Sequence, residues 1–171
     1  YCLTAPDDTM DHTRAHKRVD GAWRSAENSQ LETLARERLF FCYSASATPG
    51  DTPAGIDERA YVYASFLLVY RPGLSVLEME AGTARRRLSV FPEAQIVALD
   101  PVRPAPVQVD ALQAPSGAYV REYRRCYLAG SAPEPCAAVV NPSATASVAL
   151  ALPAYRHALV LHGGALADGG T

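Results

Sequence analysis

The chain has 171 residues, of which 49% are apolar and 20% charged, with a formal net charge of −2. That length carries one well-buried core rather than two comfortable domains, and the composition is that of a globular chain and not a disordered one. The near-neutral balance supplies no field for general nucleic-acid binding, and no apolar run approaches the about 20 residues that cross a bilayer.

Residues Tyr1 to Asp20 alternate acids and bases with few apolar positions, and read as an extended polar arm tied down by Cys2. The chain opens on Tyr1 and not on Met, the form expected of a secreted chain once its signal peptide is removed, and equally of a chain trimmed at its start. His12 and His16 have the spacing of zinc ligands on a helix. No HExxH pattern or apolar stripe supports them, so they read as two solvated histidines, and no metal or cofactor is expected.

From Ser29 the text changes. Ser29-Gln30-Leu31-Glu32 has the form of a capping box, and Leu31, Leu34, Ala35 and Leu39 then recur at helical spacing, which predicts a short helix ending near Arg38. Leu39 to Tyr43 predicts a buried strand carrying Cys42. Ser44 to Glu58, rich in Ser, Pro and Gly, reads as a loop. Arg59 to Tyr70 alternates with apolar residues on both faces and is the strongest predicted strand, central and covered on both sides.

A turn at Pro72-Gly73 leads into a strand over Leu74 to Glu80, and a second turn lies near Gly82. Arg85, Arg86 and Arg87 read as the solvated start of a strand over Leu88 to Phe91, with anion binding as the sharper alternative. Gln95 to Leu99 and Val107 to Leu112 are two more expected strands, separated by a connector stiffened by Pro101, Pro104 and Pro106. Gln113 to Gly117 reads as a turn.

Ala118 to Leu128 is the next strand. Tyr119, Arg121, Tyr123, Arg125 and Tyr127 fall on one face, and Val120, Glu122, Arg124, Cys126 and Leu128 on the other. Gly130, Pro133 and Pro135 turn the chain before the apolar run Cys136 to Val140, giving a hairpin with a cysteine on each arm. Ala146 to Leu152 alternates as a last strand, Ala154 to His162 follows as a short helix, and residues 163–171 form a flexible tail.

There are four cysteines and no CxxC pair. Two disulfides in an oxidising compartment are expected, Cys126 with Cys136 and, by elimination, Cys2 with Cys42; the alternative is that some are buried free thiols of a cytosolic protein. The first closes a loop of about eleven residues, worth roughly 2.5 to 3 kcal/mol on chain-entropy grounds. The expected fold is all-β: one antiparallel sandwich or partly open barrel over residues 21–162, with a short helix near each end and the arm 1–20 and tail outside it.

No GxSxG, GxxxxGK or GxGxxG pattern is present, and neither His157 nor His162 stands in a catalytic context. The feature that best suits recognition is the face formed by Tyr119, Arg121, Tyr123, Arg125 and Tyr127, because tyrosine and arginine are enriched where proteins bind proteins. The alternative is cross-strand packing of amphipathic side chains.

Gly21-Ala22-Trp23, Phe41-Cys42, Tyr61 to Tyr70, Leu88 to Pro92, Val107 to Asp110, the Cys126/Cys136 pair and Val148 to Leu159 follow one another in an order that resembles the invasion-associated locus B family of periplasmic β proteins. That resemblance implies a periplasmic sandwich acting by contact with other proteins and not by catalysis. The function expected is that of an exported, periplasmic or extracellular, protein-binding domain, an accessory subunit of a membrane-associated assembly. The alternatives are a small secreted enzyme with a scattered site and a secreted viral or host-facing decoy.

Overall fold

The structure, a computed structural model, describes residues 20–46, 53–81, 97–127, 132–143 and 146–151. Trp23, Glu27, Gln30, Leu31 and Leu34 recur at the three- and four-residue steps that share a helix face, and they form the buried stripe of α1, Asp20–Ala35. The helix starts nine residues before the expected capping box. Ser29 is an interior position whose carbonyl accepts from Thr33 Oγ1 at 3.0 Å. Glu37, at φ 55°, ends the helix in a left-handed conformation, and Arg71 Nη1 meets the carbonyl of Leu34 at 2.7 Å.

After α1 the chain enters β1, Phe40–Ser46, as expected. Instead of a loop and a strand, residues Pro53–Val69 then form one helix, α2, with Pro53 as its first residue. Proline suits that position because its missing N–H has no intrahelical partner there. From Ala60 to Val69 every described side chain is buried or half-buried, so this part of α2 lies in the core and is covered all round. The centrality expected of this run holds, but its strand assignment does not. An apolar run with no polar face fits a period of 2 as well as one of 3.6, and its length favours the helix.

Gly73, at φ 79°, makes the turn into β2, Ser75–Ala81, which pairs in parallel with β1 from Phe40↔Ser75 to Ser46↔Ala81. Parallel neighbours need a crossover connection, and α2 supplies it.

The second sheet is antiparallel and three-stranded in the order β3 (Val97–Pro101), β4 (Tyr119–Tyr127), β5 (Glu134–Val140). Between β3 and β4 the expected strand over Val107 to Leu112 is instead a 3₁₀ turn, Val109–Leu112. It is held to α1 by the Val109 N–H, which donates to Asn28 Oδ1 at 2.8 Å. Residues 146–151 form no strand. Asn141 Nδ2 donates to the Ala146 carbonyl at 2.8 Å and the Ala146 N–H to Ser143 Oγ at 2.9 Å, so side chains take the backbone partners that a ladder would use.

The expected all-β sandwich is therefore corrected to a mixed fold, with two helices and two small sheets among the described residues. Trp23 and Leu31 of α1, Phe66 to Val69 of α2, Tyr119, Tyr123 and Cys126 of β4, and Ala138 and Val140 of β5 belong to one buried cluster. The arm before Asp20, the strand over 88–91, the helix over 154–162 and the tail lie outside the described residues.

Candidate functional site

Tyr119, Arg121 and Tyr123 do not form a surface. They point from β4 into the core, and Arg121, at 4% exposed, is the most accessible of the three. Its Nη1 donates to the main-chain carbonyls of Leu68 at 2.9 Å and Tyr70 at 2.7 Å, and the Tyr123 hydroxyl donates to that of Leu67. These carbonyls end α2, where the last turn has no intrahelical donors and the helix dipole is negative. The guanidinium also lies 5.4 Å from the Tyr123 ring centroid. Two side chains chosen for recognition thus close a helix end, and the packing alternative is the one realised.

The rest of the row is divided by a β-bulge. Tyr123 pairs with Cys136 and Cys126 with Glu134, so three steps on β4 span two on β5. One extra residue reverses the alternation. Arg124 and Arg125 both become exposed, Tyr127 is half-buried, and Cys126 turns inward to the side of Cys136. The bulge thereby permits the Cys126–Cys136 disulfide, whose Cα atoms lie 5.9 Å apart. Outside, Asp100 at φ 68° places its carboxylate 3.4 Å from Arg124 Nη1 and 3.5 Å from Arg125 Nε.

Tyrosines gather beneath the row. Burial pushes the Tyr63 phenol up to about 12, with Tyr70 adding to the effect, and burial raises Tyr123 and Tyr70 as well. Burial also lowers Arg121 from its ordinary value. The phenols remain protonated donors at neutral pH, which suits closing a helix and not abstracting a proton.

At the edge of the core, Trp23 Nε1 donates to Ser65 Oγ at 3.0 Å, and its ring lies 4.6 Å from that of Tyr119. The Tyr119 hydroxyl accepts from Arg24 Nη2 at 3.0 Å and donates to Asp110 Oδ1 at 3.2 Å. Arg24 Nε meets the same Asp110 oxygen at 3.0 Å. Burial raises the Tyr119 phenol, and the guanidinium of Arg24 pulls it partly back. The trio ties α1, β4 and the 3₁₀ turn together. Neither Arg24 nor Asp110 stands out in the sequence, because their partners are distant in the chain.

Among the described residues, two places are open to a partner. On the outer side of the parallel pair, Phe41 and Val76 are register partners, 45% and 41% exposed, and Leu39 just ahead of β1 is 63% exposed. On β4, a concavity of about 300 Å³ is lined by Val102, Glu122, Tyr123, Arg124, Pro135 and Cys136. Its one guanidinium is occupied, since Arg124 donates to the carbonyls of Pro101 and Val102 and to Asp100.

Cys42 is buried and disulfide-bonded, and its expected partner, Cys2, lies outside the described residues. So do His12, His16, His157, His162 and Arg85 to Arg87. Among the described residues no group of three His, Cys, Asp or Glu side chains could hold a metal ion, and no helix is long and apolar enough to cross a membrane. No family model, curated protein or solved structure matches the chain.

Proposed function

We propose that the chain is a non-enzymatic exported domain that binds another protein, through the outer face of β1 and β2. The observation that carries this reading is the row Leu39, Phe41 and Val76, apolar and open on a parallel pair. Parallel strands are normally covered on both faces, and contiguous exposed apolar side chains mark contact surfaces. The Cys126–Cys136 disulfide suits an oxidising compartment. Partner binding thus moves from the tyrosine and arginine row of β4 to a surface whose β1 side, Leu39 and Phe41, reads in the sequence as part of a buried strand.

A photo-crosslinking residue at Phe41, at Val76 or at the isolated, highly exposed Val107 tests the assignment in the native cell. The expected result is one discrete protein adduct from Phe41 and Val76 but not from Val107, lost on Phe41→Glu at Val76 with the melting temperature unchanged. Adducts as frequent from Val107 as from Phe41 would remove the assignment.

A further inference from the structure

Glu27 lies on the docking stripe of α1 one turn after Trp23 and is fully buried. Its carboxyl accepts one long hydrogen bond, from Gln30 Nε2 to Oε2 at 3.4 Å. Two oxygens of this pair, Glu27 Oε1 and Gln30 Oε1, have no hydrogen-bond partner. An ionised carboxylate in this place would be a buried charge facing no cation among the described residues, with a second unpartnered acceptor on Gln30, and such burial is strongly unfavourable. One proton on Glu27 Oε1 removes the charge and turns an orphan acceptor into a donor, and Gln30 Oε1, on the amide that already reaches Glu27 Oε2, is the orphan acceptor it can take.

We propose that Glu27 carries its proton on Oε1 and donates it to Gln30 Oε1, closing an acid–amide pair that makes the docking of α1 depend on that proton. The elements packed against α1 offer no described cation to replace it. On β4, Tyr119 is engaged with Arg24 and Asp110, and Arg121 with the end of α2; Tyr123 is bound there too. On the 3₁₀ turn, Asp110 faces Arg24. On β1, Cys42 does not titrate. On α2, Tyr63 belongs to the group with Tyr70 and Tyr123, and Tyr61 offers a phenol and no cation. Beyond α2, Arg71 holds Leu34 and Glu37. On α1 itself, Arg24, Glu32 and Arg36 are exposed. Burial alone raises the Glu27 carboxyl well above its usual range.

The direction of the effect follows. A carboxyl whose folded-state pKa is raised contributes stability that is fully present below the unfolded value of about 4.3 and is lost as pH rises through the folded value. Between the two, the folding constant falls about tenfold per pH unit for this one proton. Loss of the proton sets a charge against Gln30 Oε1 inside the stripe and drives α1 outward. Arg24 and Asn28 leave with α1, which frees Asp110, Tyr119 and the Val109 N–H. The pair is a latch released by rising pH.

Glutamate labelled with ¹³C at Cδ reads the proton directly in the full chain, with Glu27 assigned by through-bond connectivity. As pH is raised, the Glu27 resonance is expected to stay at the protonated position after the exposed glutamates have titrated. Emission of Trp23, the single tryptophan, is expected to shift red as Glu27 ionises. Glu27→Gln keeps the shape and is expected to abolish both the fall of melting temperature with pH and the shift. A Glu27 resonance that titrates with the exposed glutamates overturns the proposal even if Glu27→Gln fails to fold. Parallel melting profiles for the wild type and a folded Glu27→Gln chain overturn it too.

Discussion

Arg121 on β4 reaches across the core and donates from Nη1 to the main-chain carbonyl of Tyr70, 2.7 Å away. The same nitrogen meets Leu68 at 2.9 Å and Leu67 at 3.5 Å, so one buried cation serves three carbonyls at the end of α2. Arg121→Met keeps much of the stem and removes the donors. The loss of charge-assisted bonds, with carbonyls left buried, outweighs the relief of desolvating a guanidinium, and the net cost is about 3 kcal/mol of unfolding free energy. Denaturant unfolding measures it. A Met variant as stable as the wild type would show that the guanidinium does not close the helix.

Tyr123 separates packing from recognition. Tyr123→Phe keeps the ring and deletes only the hydroxyl that donates to Leu67, a loss of about 1 kcal/mol, whereas Tyr123→Ala opens a cavity and costs about 3 to 5 kcal/mol. Thermal unfolding of both isolated variants gives the two values. An Ala variant within about 1 kcal/mol of the wild type would return Tyr123 to the surface.

The local elements with a clear period were legible in the sequence: β1, β2, β4 and β5, and the turns at Gly73 and Gly117. What was hidden had specific causes. Glu27 and Gln30 occupy core positions of α1, so its apolar stripe is interrupted and only the last turns look helical. Alpha2 carries apolar side chains on every face, and alternation cannot then tell strand from helix. A β-bulge leaves no mark in composition, yet it decides which of Arg125 and Cys126 faces inward. The expected site failed for the same reason that the strand was found. Alternation identifies a face without saying which side of the sheet the core lies on, and here α2 covers the side with the tyrosines.

Alkaline pH tests the tyrosine group. Tyr63 has its folded-state pKa raised to about 12, above the unfolded value of about 10, so the folded chain holds its proton longer. The stability this contributes is present below about pH 10 and is lost as pH rises through about 12. Tyrosinate absorbance should therefore develop in two stages, exposed phenols first and Tyr63 only as the chain unfolds. Tyr63→Phe is expected to move the unfolding midpoint to higher pH. A single titration near pH 10 with the fold intact would contradict the burial of Tyr63.

A bulged run of three steps and a regular run of two both return Cys126 to the face of Tyr123, and removing a residue shows it. With Tyr123 kept opposite Cys136, deletion of Arg125 cancels the extra residue on β4 and leaves two steps on each strand, so Cys126 stays opposite Glu134 and faces inward, on the side of Cys136. The two sulfurs can then still meet. Arg125→Ala leaves the residue count and the bulge in place, so its disulfide survives with only the exposed ion pair to Asp100 lost, a change of at most about 1 kcal/mol. Peptide mapping without reductant should find Cys126 and Cys136 joined both in Arg125→Ala and in the deletion. Cys136→Ala should lose the roughly 2.5 to 3 kcal/mol that closing this loop contributes, without moving the strand. A disulfide lost in the deletion but kept in Arg125→Ala would mean that the bend of the bulge itself, and not the face on which Cys126 lies, brings the two sulfurs together.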